Sequence, residues 1–228
     1  MTTTTGGAAN VLSKLEDYLQ TEWPELDVYL TSVTDHYSTA SICGPNSKKI
    51  LKKLFPNKDF SDEAFPHMSY QDAIIDKIEC RIMRISFTGE LSYEINIESK
   101  YGKSLWESCI EAGEEYKITP YGTETMHLLR AEKGFIIVGQ DTDGTMTPID
   151  LQMDWIVSKK KYDFIGKRSL YRSDTIREDR KQLVGLLTDD PNEVLEEGAQ
   201  IVSELDKKPV EMIGHVTSSY FSPNLNKS

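Results

Sequence analysis

Residues 80–97 read Cys80-Arg81-Ile82-Met83-Arg84-Ile85-Ser86-Phe87-Thr88-Gly89-Glu90-Leu91-Ser92-Tyr93-Glu94-Ile95-Asn96-Ile97. Leu91, Tyr93, Ile95 and Ile97 alternate with Ser92, Glu94 and Asn96. A period of two puts one strand face in a core and leaves the other polar. Just before, Arg81, Met83, Ile85 and Phe87 share a face, and Thr88-Gly89 is a turn candidate. This is the clearest β signal in the chain. Helical patterns lie on both sides of it. Val11, Leu12, Leu15, Tyr18 and Leu19 recur at three and four residues, and Trp23-Pro24 ends that run. Ile50, Leu51 and Leu54 follow the opener Gly44-Pro45-Asn46-Ser47. Leu105, Trp106, Cys109 and Ile110 mark a helix over 102–116. Residues 28–33 and 38–43 read as strands, and a polar loop runs through Pro56 and Pro66. Strands and helices mixed in this way predict an α+β fold.

Beyond Pro120-Tyr121-Gly122, Thr123 is placed to cap a helix with Glu124 in its first turn, Lys133 in its last and Gly134 just past the end. A loop rich in Asp, Gly and Thr, 139–148, leads to an expected strand around Trp155. The polar stretch 173–180 reads as a linker. After it come short expected strands at 182–187, 199–203 and 210–218, a β-rich module with too few strands to close a barrel of about five. The expected domains are therefore 1–173 and 180–228.

The chain has 228 residues, 38% hydrophobic and 28% charged, with a net charge of −11. That is a globular composition. The acidity argues against nucleic acid, which needs concentrated Lys and Arg. The basic runs Lys48-Lys49…Lys52-Lys53 and Lys159-Lys160-Lys161 are expected on solvated helix faces. No apolar run is long enough for a membrane helix, and the start has no signal-peptide pattern. Cys43, Cys80 and Cys109 are spread apart and read as reduced thiols of a cytoplasmic protein.

Familiar catalytic motifs are missing. There is no phosphate-binding glycine loop, no dinucleotide fingerprint, no H-E-x-x-H and no nucleophile elbow. The four histidines are scattered, so no metal site is expected. Asp141-Thr142-Asp143-Gly144 starts like a calcium loop, but its glycine comes too early and no glutamate follows at the twelfth place. Glu94 falls on the polar face of its strand, where a solvated side chain is the ordinary outcome. Arg130 flanks an apolar helix stripe, where snorkelling is common.

Two strings carry more than this. Phe87-Thr88-Gly89-Glu90 with Tyr93-Glu94, and Leu129-Arg130-Ala131-Glu132-Lys133-Gly134, resemble the aminomethyltransferase (glycine cleavage T-protein) family. Longer strings resemble the carboxy-terminal part of sarcosine oxidase alpha subunits: Tyr121-Gly122-Thr123-Glu124, Val138-Gly139-Gln140-Asp141-Thr142-Asp143-Gly144-Thr145 and Gly214-His215-Val216-Thr217-Ser218-Ser219. The resemblance implies a folate-binding α+β fold with ferredoxin-like elements, followed by the start of a small antiparallel barrel. It implies tetrahydrofolate as ligand, with Glu94 holding the pterin. A carboxylate can accept from both the ring N–H and the adjacent amino group. Arg130 is implied to position Glu94 or to meet a ligand carboxylate, and Thr4 to border the pterin.

In the family the general base is an aspartate upstream of the point where Met1 falls, so no catalytic residue is assigned; Asp35, Asp72 and Asp76 have no supporting motif. The expectation is a piece truncated at both ends and inactive alone, with flavin and NAD bound in other regions or partner subunits. The implied reaction captures the imine of oxidised sarcosine on tetrahydrofolate, giving 5,10-methylenetetrahydrofolate and glycine. Other readings are the carboxy-terminal domain of a dimethylglycine or sarcosine dehydrogenase, a T-protein aminomethyltransferase, and a non-catalytic module that binds folate or packs against other subunits.

Overall fold

A computed structural model describes all residues, 1–228. The chain forms two compact units, Met1–Pro120 and Tyr121–Ser228. This division by packing differs from one drawn at the polar stretch 173–180.

The first unit opens with helix α1, Ala8–Thr21. It then builds β1 (Tyr37–Cys43), α2 (Ser47–Leu54), β2 (Tyr70–Ile75), β3 (Ile78–Met83), β4 (Ser92–Glu98) and α3 (Gly102–Gly113). The strands form one sheet in the order β1-β4-β3-β2, every neighbouring pair antiparallel. α3 packs against α2 and the strands β1 and β4. This is the expected α+β architecture, an antiparallel sheet with packed helices. The alternation of β4 is realised: Tyr93, Ile95 and Ile97 are buried at 1% exposure or less. They meet Ile42 of β1, Ile82 of β3, Leu51 of α2, Leu105 of α3 and the loop residues Phe60 and Phe65. Phe60, Phe65 and Tyr93 stack at tilted or edge geometry, with centroids 5.7–6.3 Å apart. Gly102, the first residue of α3, lets the helix approach β1 closely: an added Cβ there would lie 2.6 Å from the Ser38 hydroxyl. Burial pushes the Cys80 and Cys109 thiols up to about 11, which keeps them protonated and inert.

Some local expectations are corrected. Residues 28–33 form no strand; Tyr29 is 90% exposed and no neighbouring strand pairs with it. A strand without a ladder partner leaves its backbone groups to water. Conversely, β2 lies between Pro66 and Cys80, where no strand is expected from the sequence, and pairs with β3 through a two-residue turn.

The second unit contains α4, Thr123–Glu132, whose N-cap is Gly122 rather than Thr123 and has no side-chain cap bond. A two-stranded antiparallel sheet pairs β5 (Gln200–Val202) with β6 (Met212–His215). Around Trp155 the chain makes a 3-10 turn, Asp154–Ile156, instead of a strand. Residues 182–187 are not a strand either: Val184, Leu186 and Leu187 are about three-fifths exposed. Lys48–Lys53 do ride on α2, but Lys159–Lys161 lie in an irregular bend, not on a helix.

Candidate functional site

In the first unit the sheet has a second face, opposite the core. It is built from the alternate residues Thr39 and Ser41 of β1, Ser92, Glu94 and Asn96 of β4, and Arg81 and Met83 of β3. Most of this face is satisfied within itself. Thr39 donates to Asn96 Oδ1 at 2.7 Å, and Asn96 donates to the Arg81 carbonyl at 3.3 Å. Arg81 makes a two-pronged pair with Asp72, at 2.7 and 3.0 Å. Glu94 is different. It is half-buried between Ser41 and Met83 in the ladder, and its carboxylate makes no hydrogen bond or ion pair. Burial pushes its carboxyl above the usual range. A carboxylate stripped of part of its water and given no partner is unfavourable unless something else supplies donors. The turn before β4 is fixed by Gly89 at φ 77°, with Thr88 buried at 2% exposure.

Thr4, the other candidate in this unit, is exposed. It precedes a 3-10 turn, Thr5–Gly7, that runs into α1, and no strand ends there.

In the second unit Arg130 is 2% exposed. Its Nη1 donates to Asp141 Oδ2 at 2.5 Å and to the Phe135 carbonyl at 3.0 Å; its Nη2 donates to Ser218 at 2.6 Å. Nε is buried without a partner. Asp141 is the hub of this cluster. Its Oδ2 also accepts from the Ile137 N–H at 2.8 Å, and its Oδ1 accepts from Thr217 at 2.6 Å and Ser218 at 2.7 Å. Burial alone would push the Asp141 carboxyl up, but these donors and the guanidinium outweigh it and hold it below its ordinary value. A second pair lies nearby in sequence. Arg180 grips Asp150 with two prongs, at 2.9 and 2.7 Å, and this bond together with Thr147 holds Asp150 below the usual range. The turn read against a calcium loop thus spends Asp141 on Arg130, while Asp143 accepts from Thr145. Sequence reasoning singled out Arg130 but not Asp141 as its partner, nor Ser218, 88 residues away.

No helix is long and apolar enough to cross a membrane.

Comparison with known proteins gives a consistent result. The family model described as the GCVT N-terminal domain matches residues 1–161, and that of the glycine cleavage T-protein C-terminal barrel domain matches residues 181–228. The chain is similar to the sarcosine oxidase subunit alpha of Corynebacterium sp. (strain P-1), at 56% identity over all of this chain and 24% of the relative. The corresponding subunit of Rhizobium meliloti (strain 1021) is 39% identical, again over the whole chain and 23% of the relative. An aminomethyltransferase of Thermoanaerobacter pseudethanolicus is 33% identical over 89% of this chain and 52% of the relative. The chain therefore spans about a quarter of the length of the sarcosine oxidase subunits it matches. Among solved structures, the aminomethyltransferase T of the Bartonella henselae glycine cleavage system aligns with a TM-score of 0.55 at 21% identity. It covers 68% of this chain and 39% of that one. At that identity the likeness speaks for the fold.

Proposed function

The chain belongs to the glycine cleavage T-protein family, and on that premise we propose that it is the tetrahydrofolate-binding portion of a sarcosine oxidase alpha subunit. The observation that carries the reading is Glu94: a half-buried carboxylate, short of donors, on the polar face of a rigid sheet. That state fits a reduced pterin, whose ring N–H and amino group would supply the two donors the carboxylate lacks. Two charge-assisted bonds of this kind contribute roughly 1.5–3 kcal/mol each. Thr4 is kept as a residue bordering the ligand. Arg130 enters as part of the folate-binding family motif; in this unit its donors are directed at Asp141, Phe135 and Ser218.

When bound, tetrahydrofolate supplies the nucleophilic nitrogen that takes up the one-carbon unit of oxidised sarcosine, yielding 5,10-methylenetetrahydrofolate and glycine. Glu94 fixes the ring by its edge and, while ionised, can only accept hydrogen bonds. The core beneath β4 holds that carboxylate in place, since Tyr93 and Ile95 on either side are fully buried. Flavin and NAD would act in other regions or subunits of such an enzyme, and the other sarcosine oxidase subunits would be its partners. Identity favours this reading over a T-protein aminomethyltransferase, 56% against 33%. The start of the barrel match at residue 181 supports a domain boundary within 173–180. Three free cysteines are consistent with a cytoplasmic setting.

Hydrogen exchange with and without tetrahydrofolate tests the reading. Bound ligand should slow exchange in 37–43 and 92–98 of the wild-type chain and do so far less in Glu94→Gln. Protection confined to other segments, or identical in the two proteins, would remove Glu94 from the site.

A further inference from the structure

We propose that the Ser41 hydroxyl, steadied by Ser92, reads the ring oxygen beside the edge that Glu94 grips, and so sets both the orientation of the heterocycle and the site's selectivity for it; this rests on the reading of Glu94 given above. Ser41 lies directly opposite Glu94 in the β1–β4 ladder. Residues so opposed point to the same face, with Cβ atoms about 4.5–5.5 Å apart. Ser92 is two residues before Glu94 on that face, is 4% exposed, and lies 3.4 Å from Ser41, oxygen to oxygen. Ser41 itself is exposed, and its hydroxyl makes no other hydrogen bond. If Ser92 donates to Ser41, the Ser41 proton is left to point outward.

A 2-amino-4-oxo ring presents an amino donor, a ring N–H donor and a carbonyl acceptor in a row. A carboxylate has acceptors only, so Glu94 matches the first two and cannot match the third. The carbonyl needs a donor beside the carboxylate. On the β1 side that neighbour is Ser41, a hydroxyl. On the β3 side it is Met83, opposite Glu94 in the ladder, whose thioether has no proton to give. The flanks of Glu94 are therefore unlike, and only one orientation satisfies the whole edge: the carbonyl toward β1 and the amino group toward β3.

The test is a titration of the full chain with tetrahydropterin and with its 4-thioxo counterpart, which keeps the ring N–H but puts a weak acceptor in place of the oxygen, in wild type, Ser41→Ala, Ser41→Thr and Glu94→Gln. Wild type should prefer the 4-oxo compound by about tenfold, the scale of one hydrogen bond. Ser41→Ala should bring the two compounds level by losing affinity for the 4-oxo compound alone, and Ser41→Thr, which keeps the hydroxyl, should retain the preference. An unchanged preference in Ser41→Ala, or an equal loss for both compounds, would overturn the inference. Weakening of both compounds by Glu94→Gln leaves the Glu94 reading standing whichever way Ser41 falls. No effect of Glu94→Gln, or no binding by wild type, would remove that reading and this inference together.

Discussion

The two units of this chain are held together by different means. Every buried hydrophobic residue, from Ala40 to Cys109, belongs to the first. In the second the buried residues are Arg130, Asp141, Thr147, Asp150 and Ser222, all polar, while Val184, Leu186 and Leu187 face outward. The first unit is thus stabilised by removing apolar surface from water, at roughly 25 cal/mol per Å². The second depends on a hydroxyl-and-charge hub at Asp141 and a two-pronged ion pair at Asp150. Apolar burial is indifferent to pH and tolerant of volume-conserving change. A buried charge cluster is neither, because losing one partner strands the other.

That contrast can be broken by experiment. The largest effect is expected in the first unit: Phe60→Ala should cost about 3–5 kcal/mol, read as a lower denaturation midpoint, with hydrogen exchange accelerated across the sheet. Almost as large is Asp141→Ala, which strands the Arg130 guanidinium and should cost about 3 kcal/mol, with exchange accelerated in 121–228. Replacing both, as Arg130→Met with Asp141→Leu, should recover most of that loss; failure to recover any would mean that the hydroxyls of Thr217 and Ser218 carry the cluster.

Acid should separate the units next. The folded carboxyls of Asp141 and Asp150 lie below their unfolded value of 3.8. Their contribution is therefore present above that value and lost as pH falls through the folded ones. The lowered carboxyls of the first unit, Asp59, Asp62, Asp72 and Glu115, are exposed and contribute little. On acidification below about pH 4, residues 121–228 should lose exchange protection before the sheet. Simultaneous loss would contradict the contrast. The smallest effect is expected at Glu107, which pairs with Lys103 on the surface of α3 at 3.6 Å. Glu107→Gln should shift stability by less than about 0.5 kcal/mol.

Much of the first unit could be read in the chain because its signals are local. The alternation of 91–97 gave β4 with the correct inward face, and the periodicities gave α1, α2 and α3. β2 was hidden for an equally local reason. Its turn to β3 is Asp76-Lys77, both at positive φ, 50° and 68°. Such a two-residue hairpin turn is usually announced by Asn-Gly or Asp-Gly, and here the glycine is missing. Residues 28–33 misled in the opposite direction: Val, Tyr and Leu favour a strand, but propensity cannot supply a partner. In the second unit Arg130 stood out only through its family motif. Its partners, 11 and 88 residues away, have no spacing that announces them. The partnerless state of Glu94 could not be read from sequence, because an outward position on a strand says nothing of what covers it.

The claim on which the functional account stands is that ionised Glu94 holds a reduced pterin. Calorimetric titration of the wild-type chain and of Glu94→Gln with tetrahydrofolate near pH 7 tests it most directly. The account predicts measurable binding by wild type and a ten- to hundredfold loss in the variant, about 1.4–2.8 kcal/mol, with the thermal midpoint of the free protein unchanged or raised, since burial disfavours the carboxylate. Superimposable isotherms for the two proteins would contradict it.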